Sequence, residues 1–290
     1  MMDYLTEDWG QVCVNGELIP AGDATVSPMD RGLLYGDGIF ETIRVYAGKP
    51  FMLDAHLARM QEGCAAIVLE PPDMGKVKLW VEETLKANGL SDAYLRITIT
   101  RGPTGGVWYD LERSCPTVVI MAKPYAQPDF GEGLSLTISS FRSDEQSPLT
   151  RIKHTGLLWK ILARTEAKRA GVDDALLLNT SGRIAEATAA NIFWVREGTL
   201  YTPSLDCGIL AGVTRMVVIG IAKDQDIAVV EGEFPLDDLL RAEEAFLTSS
   251  TCEIAPIRSV ADKTFTGTIP GQMTRRLMSL YKQSVERRLA

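Results

Sequence analysis

Arg151-Ile152-Lys153-His154-Thr155-Gly156 opens the segment that decides the fold of this 290-residue chain. A helical pattern follows through Glu166-Ala167, then Gly171 and the apolar run Ala175-Leu176-Leu177-Leu178. The segment closes on Ile184-Ala185-Glu186-Ala187-Thr188-Ala189-Ala190-Asn191-Ile192-Phe193-Trp194. The pattern is lysine, long helix, strand, and then a glutamate at a strand end five residues before Asn191. Most lysines are solvated surface groups, and Lys160 and Lys168 fit that description. Lys153 is set apart by its context. A lysine whose pKa is lowered by burial or by a neighbouring cation has a free amine able to attack a carbonyl.

Outward from this segment, strand and helix signals alternate. Asn15-Gly16 is a two-residue hairpin turn between Val12–Asn15 and Glu17–Pro20. Ile39–Tyr46 alternates as a strand, turns at Ala47-Gly48 and returns through Phe51-Met52-Leu53. Asp54 is the expected N-cap of a helix with Leu57, Met60, Cys64 and Ile67-Val68 on its apolar side. A second helix spans Gly75–Asn88 and stops at Gly89; strands follow at Tyr94–Thr100 and Thr117–Met121. Two prolines and two glycines mark 123–133 as an interdomain linker. Beyond it the pattern predicts a strand over Leu134–Phe141, a helix over Gly156–Ala170, and strands over Ala175–Asn179, Arg183–Ala187 and Asn191–Val195. A helix is expected from about Gly212, strands near Ile227–Val230 and Ala245–Leu247, and an amphipathic helix over Gly271–Arg287. The expected organisation is two α/β domains with mixed sheets: residues 1–122, the linker 123–133, and residues 134–290.

With 46% hydrophobic and 23% charged residues, the composition is that of a soluble globular protein. A net charge of −8 argues against nucleic acid as a main partner. The acidic start, Met1–Asp8, lacks a signal-peptide pattern, and no apolar run reaches membrane-spanning length. Cys13, Cys64, Cys115, Cys207 and Cys252 form no CxxC pair and predict reduced thiols in a cytoplasmic protein. With only His56 and His154, no protein metal site is expected. Gly36-Asp37-Gly38 lacks the third glycine of a dinucleotide fingerprint, and Gly102-Pro103-Thr104-Gly105-Gly106 is no Walker loop.

Lys153, Glu186 and Asn191-Ile192-Phe193-Trp194, in this order and setting, resemble the fold-type IV family of pyridoxal phosphate enzymes. That family contains branched-chain and D-amino-acid aminotransferases and aminodeoxychorismate lyase, and the likeness runs from about Asn15 to about Pro256. The resemblance implies a D-amino-acid aminotransferase-like fold and pyridoxal 5′-phosphate as cofactor. It assigns Lys153 to the Schiff base and to proton transfer, and Glu186 to the ring nitrogen, which a carboxylate keeps protonated. Asn191 would be a supporting group in the same turn. Gly208–Arg215 resembles the family's phosphate-binding helix start, with the N–H groups of Val213 and Thr214 and the Thr214 hydroxyl as donors. Leu247–Ile254 resembles the second phosphate arm, with Ser249 or Ser250 donating, and His56-Leu57-Ala58-Arg59 supplies Arg59. Tyr35–Arg44 is similar to the strand whose tyrosine and phenylalanine, here Tyr35 and Phe40, border the substrate. Tyr94-Leu95-Arg96 resembles the carboxylate-binding Tyr-x-Arg, with both side chains on one strand face; the backbone N–H groups of Ser250 and Thr251 would complete that site. The family's active sites draw on a neighbouring subunit, which implies a homodimer.

Within the family the signals divide. The loop from Gly102 to Leu111 contains neither arginine nor histidine, which argues against the usual D-amino-acid carboxylate trap. Tyr94-x-Arg96 favours a branched-chain or broad L-amino-acid aminotransferase acting with a 2-oxo acid such as 2-oxoglutarate. Branched-chain enzymes carry a tyrosine four or five residues after the lysine, where this chain has Leu157 and Leu158. Lys153-His154 and Phe40-Glu41-Thr42 also resemble aminodeoxychorismate lyase. The order of preference is L-aminotransferase, lyase, D-aminotransferase.

Overall fold

A computed structural model describes residues 9–104, 109, 111 and 115–289. Residues 1–8, whose acidic pattern was noted above, and part of the loop 102–111 lie outside the described residues. The chain divides into two compact units. One comprises Met1–Ala126 and Ile152–Gly156; the other comprises Gln127–Arg151 and Leu157–Ala290.

The first unit is built on strands β1 (Gln11–Val14), β2 (Glu17–Pro20), β3 (Gly38–Tyr46), β4 (Lys49–Pro50), β5 (Ala93–Thr100) and β6 (Thr117–Pro124). They form one sheet in the order β2-β1-β6-β5-β3-β4, with every pair antiparallel. Asn15 and Gly16, at φ 52° and 90°, make the expected hairpin turn, and a Cβ on Gly16 would lie 2.7 Å from the Trp80 ring. Helices α1 (Arg31–Tyr35), α2 (Leu53–Ala66) and α3 (Met74–Ala87) complete the unit. Residues alternate along β5 between buried and half-buried. Leu95, Ile97 and Ile99 join Leu57, Met60 and Cys64 of α2 and Val77, Val81 and Leu85 of α3 in one core. Tyr94, Arg96 and Thr98 take the other sheet face, directly across from Arg44, Thr42 and Phe40.

Helix α2 begins one residue before the expected cap. Met52 is the N-cap, and Asp54 lies in the first turn, where its carboxylate accepts from Lys78 Nζ at 2.7 Å.

The lysine segment also departs from expectation. Residues 134–290 were expected to form one domain, yet Ile152–Gly156 belongs to the first unit. Hydrogen bonding explains this: Phe40 N donates to Lys153 O and Thr155 N to Gly38 O, both at 2.9 Å, along the β3 edge. The Thr155 hydroxyl donates to Gly36 O at 2.7 Å. Gly36 has φ 67°, and a Cβ there would sit 3.2 Å from Gly156 Cα, so this contact requires glycine.

The second unit holds β7 (Leu134–Ser143), β8 (Asp174–Asn179), β9 (Ile184–Ala187), β10 (Asn191–Arg196), β11 (Thr199–Pro203), β12 (Val229–Gly232), β13 (Glu244–Ser249), β14 (Glu253–Val260) and β15 (Lys263–Thr264). The sheet runs β12-β11-β10-β13-β14-β7-β8-β9, with β15 added on β14. It is mixed, because β11–β12, β14–β7 and β7–β8 are parallel. Its helices are α4 (Leu158–Arg169), α5 (Val213–Asp224), α6 (Leu236–Leu240) and α7 (Gln272–Leu289). Ile192, Phe193, Trp194 and Val195 of β10 are all buried, as a strand covered on both faces requires. Phe193 stacks on Phe246 with centroids 5.2 Å apart, while Ile192 and Trp194 join Ala245 and Leu247 in a separate core. Helix α4 starts at Leu158, two residues later than expected, because Gly156 is held in the strand-like segment beside β3.

Candidate active site

In the first unit, Lys153 Nζ lies 4.5 Å from the centre of the Phe40 ring, and the Arg96 guanidinium carbon lies 3.9 Å from it. Phe40 is buried on β3. Arg96 also donates from Nε to the Thr98 hydroxyl at 3.3 Å. Tyr94, two residues along β5, meets Trp9 edge-on with ring centres 6.4 Å apart. Tyr35 departs from expectation: it ends the short helix α1 rather than standing on β3. It is more than half exposed, with the Arg31 guanidinium 5.1 Å from its ring.

Arg59 is no surface arginine. Its Nε and Nη2 donate to the two oxygens of Glu41 at 2.7 and 2.6 Å. His56 Nδ1 meets the same carboxylate at 2.7 Å. Glu41 is fully buried and is not among the expected site residues. The signal was available, since β3 alternation puts Glu41 on the same face as Ile39 and Ile43, where a charge must be paired. Burial alone would raise the Glu41 carboxyl, but the His56 hydrogen bond and the Arg59 charge outweigh it and hold it at about 2. Burial pushes His56 down, and the Glu41 bond opposes this; Arg59 and Lys153 push it further down.

Glu41→Gln tests this knot. A depressed carboxyl stabilises the fold above its unfolded value and loses that contribution as pH falls through the folded one. The variant is expected to lose about 3 kcal/mol at neutral pH, the scale for breaking a buried pair. In urea denaturation the gap to the unsubstituted protein should narrow between pH 4.5 and about 2. A constant gap would reject the assignment.

In the second unit, Glu186 is buried on β9 and held from three sides. Its Oε2 accepts from Leu210 N at 3.1 Å and from Asn191 Nδ2 at 3.2 Å, and its Oε1 accepts from Lys160 Nζ at 2.7 Å. Lys160 is therefore not the surface lysine its sequence suggested; its side chain is 20% exposed. Asn191 also donates to Leu210 O at 2.9 Å, and a Cβ on Gly212 would lie 2.0 Å from Asn191 Oδ1. The ring-nitrogen candidate is thus tied through Asn191 to the start of α5.

Gly212 caps α5 without a side chain. Val213 and Thr214 follow it, both buried, and N–H groups of a first helical turn have no intrahelical acceptor. On the second arm, the Ser249 hydroxyl accepts from Cys252 N at 3.1 Å, so it caps its own turn. Ser250 and Thr251 are half-buried in that turn, with Thr251 Oγ1 3.4 Å from Ser249 Oγ. Thr248, not among the expected donors, pairs with Asn191 across β10 and β13. Its hydroxyl is buried without a hydrogen-bond partner among the described residues.

The model of the family described as amino-transferase class IV matches residues 38–260. The chain belongs to the class IV aminotransferases. A Methanocaldococcus jannaschii protein provisionally named branched-chain-amino-acid aminotransferase is 38% identical over 94% of this chain and 95% of its own. Aminodeoxychorismate lyase of Bacillus subtilis is 33% identical over 95% and 94%. Among solved structures, a branched-chain amino acid aminotransferase from T.th. complexed with N-(5′-phosphopyridoxyl)-L-glutamate has a TM-score of 0.89 and 30% identity. The match covers 95% of this chain and 94% of that one. The mixed α/β architecture is that of fold-type IV, as expected.

For a class IV aminotransferase the donor set fits pyridoxal 5′-phosphate. A buried helix start with no side-chain cap and the orphaned Thr248 hydroxyl suit a phosphate. A buried carboxylate held by directed donors suits a protonated ring nitrogen. Among the described residues no cluster of His, Cys, Asp and Glu is arranged to hold a metal. No described helix is long and apolar enough to cross a membrane.

Proposed function

We propose that this aminotransferase moves an amino group between a branched-chain or similar L-amino acid and a 2-oxo acid such as 2-oxoglutarate. The grouping of Lys153, Phe40 and Arg96 carries the proposal. An amine held beside β3, an apolar ring on β3 and a carboxylate-binding cation on β5 stand together. The Methanocaldococcus relative supports the same substrate class.

Pyridoxal phosphate, when bound, supplies the aldehyde that accepts the amino group and a ring that withdraws electrons. Lys153 Nζ anchors it and then carries the proton taken from substrate Cα, as general base and afterwards general acid. Glu186 holds a proton on the ring nitrogen. The N–H groups of Val213 and Thr214, the hydroxyls of Thr214 and Ser250, and the Arg59 guanidinium hold the phosphate. Ser249, whose hydroxyl accepts from Cys252 N and donates to Cys252 Sγ, supports the turn of this arm. Arg96, with Tyr94 beside it, binds the substrate carboxylate together with the N–H groups of Ser250 and Thr251; Phe40 borders the substrate side chain, and Tyr35 lines the approach.

Mixing the cofactor-loaded protein with single amino acids tests this. Branched-chain L-amino acids should convert the cofactor stoichiometrically to its amine form, read by absorbance, and 2-oxoglutarate should reverse the change. The Bacillus lyase relative motivates a second reading, elimination of pyruvate from aminodeoxychorismate. Turnover of that compound without build-up of the amine form would replace the first reading. Conversion by D-amino acids alone would favour the third, for which 102–111 offers no arginine or histidine.

The enzyme is proposed to be a cytoplasmic homodimer. Leu158, Ile161 and Leu162 form an exposed apolar stripe on α4, and Met29, Leu33 and Leu34 are exposed around α1. Such surfaces suit association. Light scattering should return twice the 31.8 kDa chain mass; the monomer mass would reject the dimer.

A further inference from the structure

Lys160 stands on the inward face of α4. Counting by helical steps from it reaches Ala163 and Ala167, the buried residues of that helix. Two alanines let α4 lie close to the strands beneath it, so a long side chain one turn earlier reaches past them to Glu186 on β9. The ammonium meets Oε1 at 2.7 Å, and Oε2 is taken by Leu210 N and Asn191 Nδ2. Of the three donors on this buried carboxylate, Lys160 alone carries a full charge.

We infer that Lys160 is a positioning residue that serves Glu186 as a built-in counter-cation. The inference rests on the proposed role of Glu186 at the ring nitrogen. Two consequences follow from charge alone. A buried carboxylate with no cation nearby is costly, so Lys160 gives Glu186 a charged partner and a fixed orientation before any cofactor arrives. A carboxylate oxygen can accept more than one hydrogen bond, so Oε1 retains room for a ring N–H. That proton then faces an ion pair rather than a bare carboxylate and is held less tightly. Lys160 thereby moderates the electron sink.

The test is the pH midpoint of the visible-absorbance change of the cofactor-loaded protein, measured for Lys160→Met, Lys160→Arg and Glu186→Gln. Lys160→Met should raise the midpoint by about one unit, since removing a nearby like charge favours the cationic form. Lys160→Arg keeps the charge and should stay near the unsubstituted value. Melting temperature with and without cofactor gives an independent readout. Lys160→Met should melt earlier without cofactor and gain more on loading, because the cofactor then supplies the missing positive partner. An unmoved midpoint in Lys160→Met, with Glu186→Gln lowering it, would overturn the role of Lys160 and leave Glu186 standing. A merely structural tie between α4 and β9 would lower melting equally with and without cofactor. A midpoint indifferent to Glu186→Gln would instead show that the ring-nitrogen assignment has failed.

Discussion

Lys153→Ala is expected to lower turnover by about 10³-fold or more, with the protein still folded. Two functions vanish with one amine. A positioned general acid and base is worth about 10²–10⁴ in rate, and the covalent anchor is lost besides. The fold should survive, because the segment is tied to β3 by backbone groups: Phe40 N to Lys153 O and Thr155 N to Gly38 O. Alanine keeps both bonds. Borohydride reduction of the loaded enzyme, followed by peptide mapping, supplies the decisive readout, and the fixed cofactor should map to residue 153. The control is built into the molecule, since Lys160 is a second partly buried lysine only seven residues away. A label on Lys160, or normal turnover in Lys153→Ala, would exchange the roles proposed for the two lysines.

Those two lysines also show what the sequence could and could not disclose. Lys153 was legible as a candidate because its neighbours form a pattern: a lysine ahead of a long helix, a buried strand, then Glu186 and Asn191-Ile192-Phe193-Trp194. Lys160 was not, because lysine is ordinarily solvated and only the placement of Ala163 and Ala167 hinted at an inward face. Glu41 was passed over for a similar reason, although its alternation with Ile39 and Ile43 placed a charge among core residues.

The elements that escaped are those with weak local signals. Strand β14 contains Pro256, Arg258 and Ser259 and is stabilised by partners on both sides, β13 and β7. Strand β11 is five residues long and ends in Pro203. Long elements with strong periodicity, such as α7 with Leu277, Tyr281 and Val285 buried at helical spacing, were read to within a few residues. The assignment of Ile152–Gly156 to the first unit depends on long-range backbone pairing, which no local pattern reveals.

Glu186→Gln carries the second large effect, an expected fall in kcat of about 10²–10³-fold, the scale for removing one preorganised electrostatic group. Glutamine preserves volume and can still accept from Leu210 N, so the backbone around β9 and the start of α5 should hold. What changes is charge. On the proposed assignment the ring nitrogen would lose the anion that keeps it protonated, and Lys160 would be left as an unpaired cation beside it. The penalty should therefore exceed that of a lost hydrogen bond, and the double variant Glu186→Gln with Lys160→Met should recover part of the kcat. Neither substitution touches Phe40 or Arg96, so the KM for branched-chain substrates should move far less than kcat. Steady-state kinetics on the two single variants and the double variant separate these terms. Near-normal kcat in Glu186→Gln would remove the electron-sink role from this carboxylate, and failure of Lys160→Met to relieve the variant would show that the ammonium is too well solvated to act on the ring.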